Sequence, residues 1–133
     1  MTFLDTGILV GALLTKHPEH AQCMAAFEQF DHIFTDAHAL AETFATLTGF
    51  YKVLPHAATE LTLGLGAMLE IEAFTRTDYE TAIGEAPIRG IMGGGIYDSL
   101  HATFARRKDV ERIVTRNPSH FAHVAPEVEI LTP

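Results

Sequence analysis

A chain of 133 residues with an apolar share of 47% has the size of one domain and enough apolar side chains for a core. Its formal charge of −8 speaks against a general nucleic-acid binder, and its single cysteine excludes an internal disulfide and a cysteine-rich metal site. The apolar start "MTFLDTGILVGALL" is interrupted by Asp5 and lacks a basic beginning, and no run of about 20 apolar residues occurs, so we expect a soluble, cytoplasmic protein with no membrane partner.

The predicted elements alternate along the chain. "TFLD", residues 2–5, reads as a short buried strand, followed by a helix over 6–15 with Thr6 near its start. "HPEHAQCMAAFEQF", 17–30, reads as a second helix in which Ala21, Met24, Phe27 and Phe30 recur at helical spacing and Cys23 is a small buried apolar residue. "HIFT", 32–35, is a second strand. Residues 36–51 form a third helix capped by Asp36, with Leu40, Phe44 and Leu47 along its apolar stripe. Pro55 breaks the chain, and 56–69 reads as a helix weakened by Gly64 and Gly66. "EIEAF", 70–74, is a third strand, and 77–86 a helix capped by Thr77 or Asp78. Gly93, Gly94 and Gly95 then lead to a helix that starts at Asp98 and ends at Arg106 and Arg107. "RIVT", 112–115, is a fourth strand, "NPSHF" a turn or a single helical turn, and "VEIL", 128–131, a last strand. This order implies one α/β domain over residues 1–133, with a mostly parallel central sheet flanked by helices on both faces.

Open parallel sheets bind ligands outside the carboxyl ends of their strands, where the strand order reverses. Asp5 ends the first strand, and Thr115 and Asn117 fall at and beyond the end of the fourth. Glu42, two positions after Leu40, points about 200° away from it, on the side shared by His38, Ala45 and Thr46. Asp98 has two readings, as the N-cap of its own helix or as a carboxylate aimed at a ligand; its two oxygens allow both. Converging carboxylates repel one another unless one takes up a proton, and a hard divalent ion such as Mg²⁺ or Mn²⁺ removes that cost.

At these residues the chain resembles the PIN-domain nucleases, and in length and layout the VapC-type toxins of toxin–antitoxin pairs. "FLDTGILV", the Glu of "ALAETFATLTG", "GGGIYDSLHATFAR" and "IVTRNPSHF" carry the resemblance as an ordered set over nearly the whole chain. It implies that Asp5, Glu42 and Asp98 bind Mg²⁺ or Mn²⁺ for attack of water on an RNA phosphodiester. Asn117 stands where many relatives have a fourth acid; its amide brings no charge, which favours one strong cation site over two. Thr6 and Thr115 match supporting hydroxyl positions. Family membership further implies an RNA substrate, a homodimer and a cognate VapB-type antitoxin.

Five of the nine Lys and Arg residues fall between 106 and 116. Arg106, Arg107 and Arg116 are therefore candidates for holding the RNA backbone, with a solvated helix end as the other reading. The H-x-x-H pairs, His17 with His20 and His120 with His123, lack a third ligand and read as surface residues. His101, one turn after Asp98, reads as a half-buried packing residue. Three other functions remain: an aspartyl-phosphate α/β protein, a nucleotide-binding module suggested by "MGGGI", and a catalytically inactive PIN-like protein. Against the first, Asp5 stands alone and the fourth strand ends without a lysine; against the second, the glycine run lacks the G-x-G-x-x-G spacing.

Overall fold

The computed structural model describes residues 1–133. Five short strands, β1 (Thr2–Leu4), β2 (Ile33–Asp36), β3 (Glu70–Glu72), β4 (Arg112–Val114) and β5 (Glu129–Leu131), form one parallel sheet in the order β3-β2-β1-β4-β5. The chain therefore builds outward from β1 in one direction and then in the other. The first two crossovers put α1 (Thr6–Leu13), α2 (His20–Gln29), α3 (Ala37–Gly49) and α4 (Pro55–Gly64) on one face of the sheet. The last two put α5 (Arg76–Arg89), α6 (Gly95–Arg107) and α7 (Pro118–Val124) on the other. The expected α/β sandwich of helices around a parallel sheet is the one observed.

Side chains alternate across the sheet and so divide the core into two layers. Phe3 pairs in register with Phe34 and Ile113, and all three pack with Phe104, Phe121 and Val124 of α6 and α7. Leu4 and Val114, one residue further on, pack instead with Ile8, Leu9, Cys23 and Ala39 on the α1–α3 side. Each fully buried Phe or Leu contributes about 1.5–3 kcal/mol. Leu4 is the last strand residue, and the backbone then passes into Asp5, whose amide still pairs with the Val114 carbonyl at 3.0 Å. Asp5 thus leaves the sheet at the reversal point between β1 and β4.

Several predicted boundaries shift for local reasons. Pro55 does not break the chain; it opens α4, because its missing N–H is not needed in a first turn. Gly64 ends α4, and residues Leu65–Ala67 continue as a 3₁₀ turn. The cap of α5 is Thr75 rather than Thr77 or Asp78: Thr75 Oγ1 accepts from the Asp78 N–H and Asp78 accepts from the Thr75 N–H, a reciprocal capping box. Asp98 is not an N-cap, because α6 already begins at Gly95 with Gly94 as its cap. Residues Pro118–Val124 form a real helix, longer than the single turn expected.

Helices α1 and α2 approach closely at Gly11. A Cβ on Gly11 would lie 2.5 Å from Cys23 Sγ and 3.1 Å from Cys23 Cβ. Gly11→Ala is therefore expected to cost about 1–3 kcal/mol in urea denaturation. Cys23→Ala in the same chain should recover part of that loss, since it removes the nearer contact.

On the opposite face, Arg107 of α6 grips buried Asp78 of α5 through two bonds of 2.7 and 2.9 Å. Burial raises the Asp78 pKa, but the Arg107 and Thr75 hydrogen bonds outweigh it and hold the carboxyl below its ordinary value. A lowered folded pKa means stability that is present above the unfolded value near 3.8 and lost as pH falls through the folded one. Asp78→Asn should cost about 1–3 kcal/mol at neutral pH and flatten that acid limb of a stability–pH curve.

Candidate active site

The acid end of β1 is fixed from two sides. Asp5 Oδ1 accepts the Thr6 N–H at 2.8 Å, which caps α1, and Oδ2 accepts the Thr115 hydroxyl at 2.7 Å. Thr115 Oγ1 in turn accepts the Asn117 N–H at 3.0 Å. The turn after β4 is thereby tied to the carboxylate at the end of β1. Burial raises the Asp5 pKa, and the nearby Asp98 charge adds to it; His101 and the two hydrogen bonds oppose them.

Asp98 comes from the opposite helical layer, in the first turn of α6. Its pKa is raised by burial and by Glu42, and lowered by His120 and His101. Its Oδ2 is 3.0 Å from His120 Nδ1, an imidazole on α7 that is more than half exposed. Glu42 projects from α3, where His38 sits one turn earlier at 3.7 Å. The three acids line one cleft of about 330 Å³, together with Thr6, Asn117, Arg116, His120 and Tyr51. A second hollow, of about 480 Å³, adjoins it through Asp98 and His120.

Beneath this cleft lies a group that sequence reading underrated. His101 is buried, not half-buried, and both ring nitrogens face carboxylates: Nδ1 bonds Asp36 and Nε2 bonds Glu42 at 2.5 Å. Burial alone would lower its pKa, yet the two carboxylates carry it to about 10, so it is an imidazolium. Phe3, Phe74 and His38 surround it with ring centroids at 5.7, 6.0 and 6.0 Å. Asp36 uses its other oxygen to cap α3 at the Ala39 N–H, 2.9 Å away. The available signal was the spacing that put His101 on the Asp98 side of α6, together with Asp36 as a cap.

The remaining predicted residues divide. Arg116 lines the cleft and pairs with Glu19. Arg106 pairs with Glu85 at 2.9 Å and Glu127 at 3.6 Å, Arg107 with Asp78, and neither lines the cleft. The histidine pairs are not uniformly superficial. His17 is buried, with Nδ1 accepting the Glu19 N–H at 3.0 Å, and burial and Arg116 lower its pKa. His20 donates to the Gly11 carbonyl and His123 to that of Arg89.

The donor set suits a hard divalent cation: three carboxylates, no thiol, and the buried Thr6 hydroxyl, which lines the cleft without a hydrogen-bond partner. No three of these side chains close into a coordinating group; Glu42 Oε1 is instead taken by His101 and His38.

The PIN-domain profile matches residues 2–126. The chain belongs to the PIN-domain family. Its fold is similar to that of the Mycobacterium tuberculosis toxin VapC20, which cleaves the sarcin–ricin loop: TM-score 0.73 at 16% identity over 85% of this chain and 87% of that one. Rickettsia felis VapBC2, solved with a promoter DNA fragment, gives 0.72 at 20% identity over 99% and 98%. Neisseria gonorrhoeae FitAcB gives 0.70 at 17% over 98% and 96%. No curated protein matches the chain. Membership in this family, with Asp5, Glu42 and Asp98 in one cleft, replaces the aspartyl-phosphate and nucleotide-binding readings. No helix of this PIN domain is long and apolar enough to cross a membrane.

Removing one member of the buried charge triad leaves its partners uncompensated. His101→Leu and Asp36→Asn are each expected to cost about 3–5 kcal/mol in urea denaturation. Glu42→Gln, at a half-exposed carboxylate, should cost about 1 kcal/mol or less.

Proposed function

We propose that residues 1–133 act as one PIN domain, a metal-dependent endoribonuclease toxin of the VapC type. It would hydrolyse RNA phosphodiester bonds in the cytoplasm, work as a homodimer and be silenced by a cognate VapB-type antitoxin. The observation that carries this reading is the meeting of Asp5, Glu42 and Asp98 in one cleft at the β1–β4 reversal. The VapC and Fit proteins of similar fold support it.

Asp5, Glu42 and Asp98 would hold Mg²⁺ or Mn²⁺ through oxygen. When bound, such an ion acidifies a water and neutralises charge on the phosphate undergoing displacement. The chain's own groups prepare that step. Thr115 and the Thr6 amide fix Asp5, so its orientation is set before substrate arrives. His101 holds one oxygen of Glu42. Asn117, exposed at the start of α7, offers a neutral amide for a water or a phosphate oxygen. Arg116 gives the cleft its one cationic side chain.

Asp5→Asn and Asp98→Asn should each lower RNA cleavage by about 100-fold or more while leaving the circular-dichroism spectrum unchanged. Thr115→Val should lower it by about 10–100-fold through loss of the bond to Asp5. A chelator should stop cleavage, and added Mg²⁺ or Mn²⁺ should restore it. Undiminished cleavage by Asp98→Asn would overturn the proposal.

A further inference from the structure

Positive charge on this protein is almost entirely consumed by internal pairs. Arg76 pairs with Glu80, Arg89 with Glu85, Arg106 with Glu85 and Glu127, and Arg107 with Asp78. Lys108 pairs with Glu72, Arg112 with Glu111 and Glu129, and Arg116 with Glu19. Of the nine Lys and Arg side chains, only Lys16 and Lys52 have no carboxylate partner. Lys52 bonds only the Gly49 carbonyl at 2.6 Å. Both lysines are exposed, and they are far apart in sequence.

Lys16 lines one small hollow, and Lys52 is adjacent in sequence to two residues that line it. It measures about 220 Å³ and is lined by Leu14, Lys16, His17, Pro18, Tyr51 and Val53. Lys52 lies between two of these residues, in the left-handed backbone region at φ 57°, and is not itself part of the lining. The Tyr51 ring is 5.9 Å from that of His17. It also meets Phe50 edge-on at 4.8 Å, and Phe50 is 76% exposed. Tyr51 also lines the acid cleft and is the residue the two hollows share.

We propose that this hollow is a base-binding subsite for single-stranded RNA, next to the acid cleft and resting on the ribonuclease reading above. A single strand is held by cations that follow its phosphates and by aromatic faces on which bases stack. Lys16, with Lys52 beside Tyr51 in the chain, supplies the first, and Tyr51, with exposed Phe50 against it, the second. A strand whose phosphate sits among Asp5, Glu42 and Asp98 passes over Tyr51 and places a neighbouring base in the hollow. The cluster at 106–116, by contrast, brings only Arg116 to the cleft, and that side chain is paired with Glu19.

The test uses the full chain with chelator present, so that RNA is bound and not cut, and reads the fluorescence anisotropy of a labelled oligoribonucleotide. The double variant Lys16→Glu/Lys52→Glu should bind about tenfold or more weakly, with a shallower dependence on salt. Tyr51→Ala should also weaken binding, whereas Arg76→Glu, at a surface pair away from the hollow, should stay within about twofold. Uridine and adenosine monophosphates should shift the NMR signals of the Tyr51 ring and the Val53 methyls. Wild-type affinity in the double lysine variant, or still signals with both nucleotides, overturns the subsite. Shifts produced only by a partner protein's apolar side chains overturn it as well. RNA bound here but left uncut after Mg²⁺ or Mn²⁺ is added would sink the ribonuclease reading and leave the subsite standing. Cleavage indifferent to Lys16, Lys52 and Tyr51 would do the reverse.

Discussion

A buried imidazolium joins the two halves of this fold at the site. A neutral imidazole donates through one nitrogen only, so carboxylates on both nitrogens of His101 require the doubly protonated ring. Its partners lie on different elements, Asp36 at the end of β2 and Glu42 on α3, while His101 itself belongs to α6. The helices α3 and α6 cover opposite faces of the sheet, so the triad bridges the two layers at the carboxyl end of β2. Without the positive charge, fully buried Asp36 would face Glu42 with no compensation in a medium of low dielectric. The aromatic rings of Phe3 and Phe74 against the imidazolium add attraction of the cation–π kind. The orientation of Glu42 in one layer is therefore set by a residue of the other.

The same charge acts on the acids above it. Asp5 and Asp98 both have pKa values raised first by burial, and the positive ring beneath them works against that rise. It offsets part of the repulsion among three carboxylates and leaves the rest for a ligand to neutralise. The two aspartates are also held differently. Asp5 has both oxygens fixed, one by a backbone amide and one by Thr115. Asp98 has a single polar side-chain contact, at 3.0 Å from exposed His120. One carboxylate is a rigid anchor, and the other is free to adjust.

Alternation of apolar strands with helical spacing revealed the sheet and its two covered faces, because each crossover must return to a parallel neighbour. That Asp5, Glu42 and Asp98 share one cleft was legible from their positions in that order together with the family resemblance. Three things were hidden. The capping of α5 by Thr75 depends on a reciprocal bond that a choice between Thr77 and Asp78 does not anticipate. The helix at Gly95 starts earlier than Asp98 because Gly90 and Gly93, at φ 66° and 53°, complete the reversal of the chain before it. The His101 triad joins residues 65 and 59 positions apart in sequence, and no local pattern encodes such a pairing. What a sequence does encode locally is a side: Glu42 with His38, and Asp98 with His101.

The charge distribution shows why counting cations along the sequence misleads. The cluster from Arg106 to Arg116 is dense in sequence, yet each of its members faces a carboxylate from another element. Those pairs staple α5 to α6 and the end of β4 to its neighbours. In an acidic chain every cation has many carboxylates to choose from, so an unpaired one is informative wherever it lies. Screening at physiological salt limits charge effects to about 8 Å, so an approaching polyanion responds to the local surface more than to the net −8. Free positive charge occurs only where the α1–α2 connection meets the segment after α3, beside the acids. A protein that repels nucleic acid on average can in this way admit it along one edge.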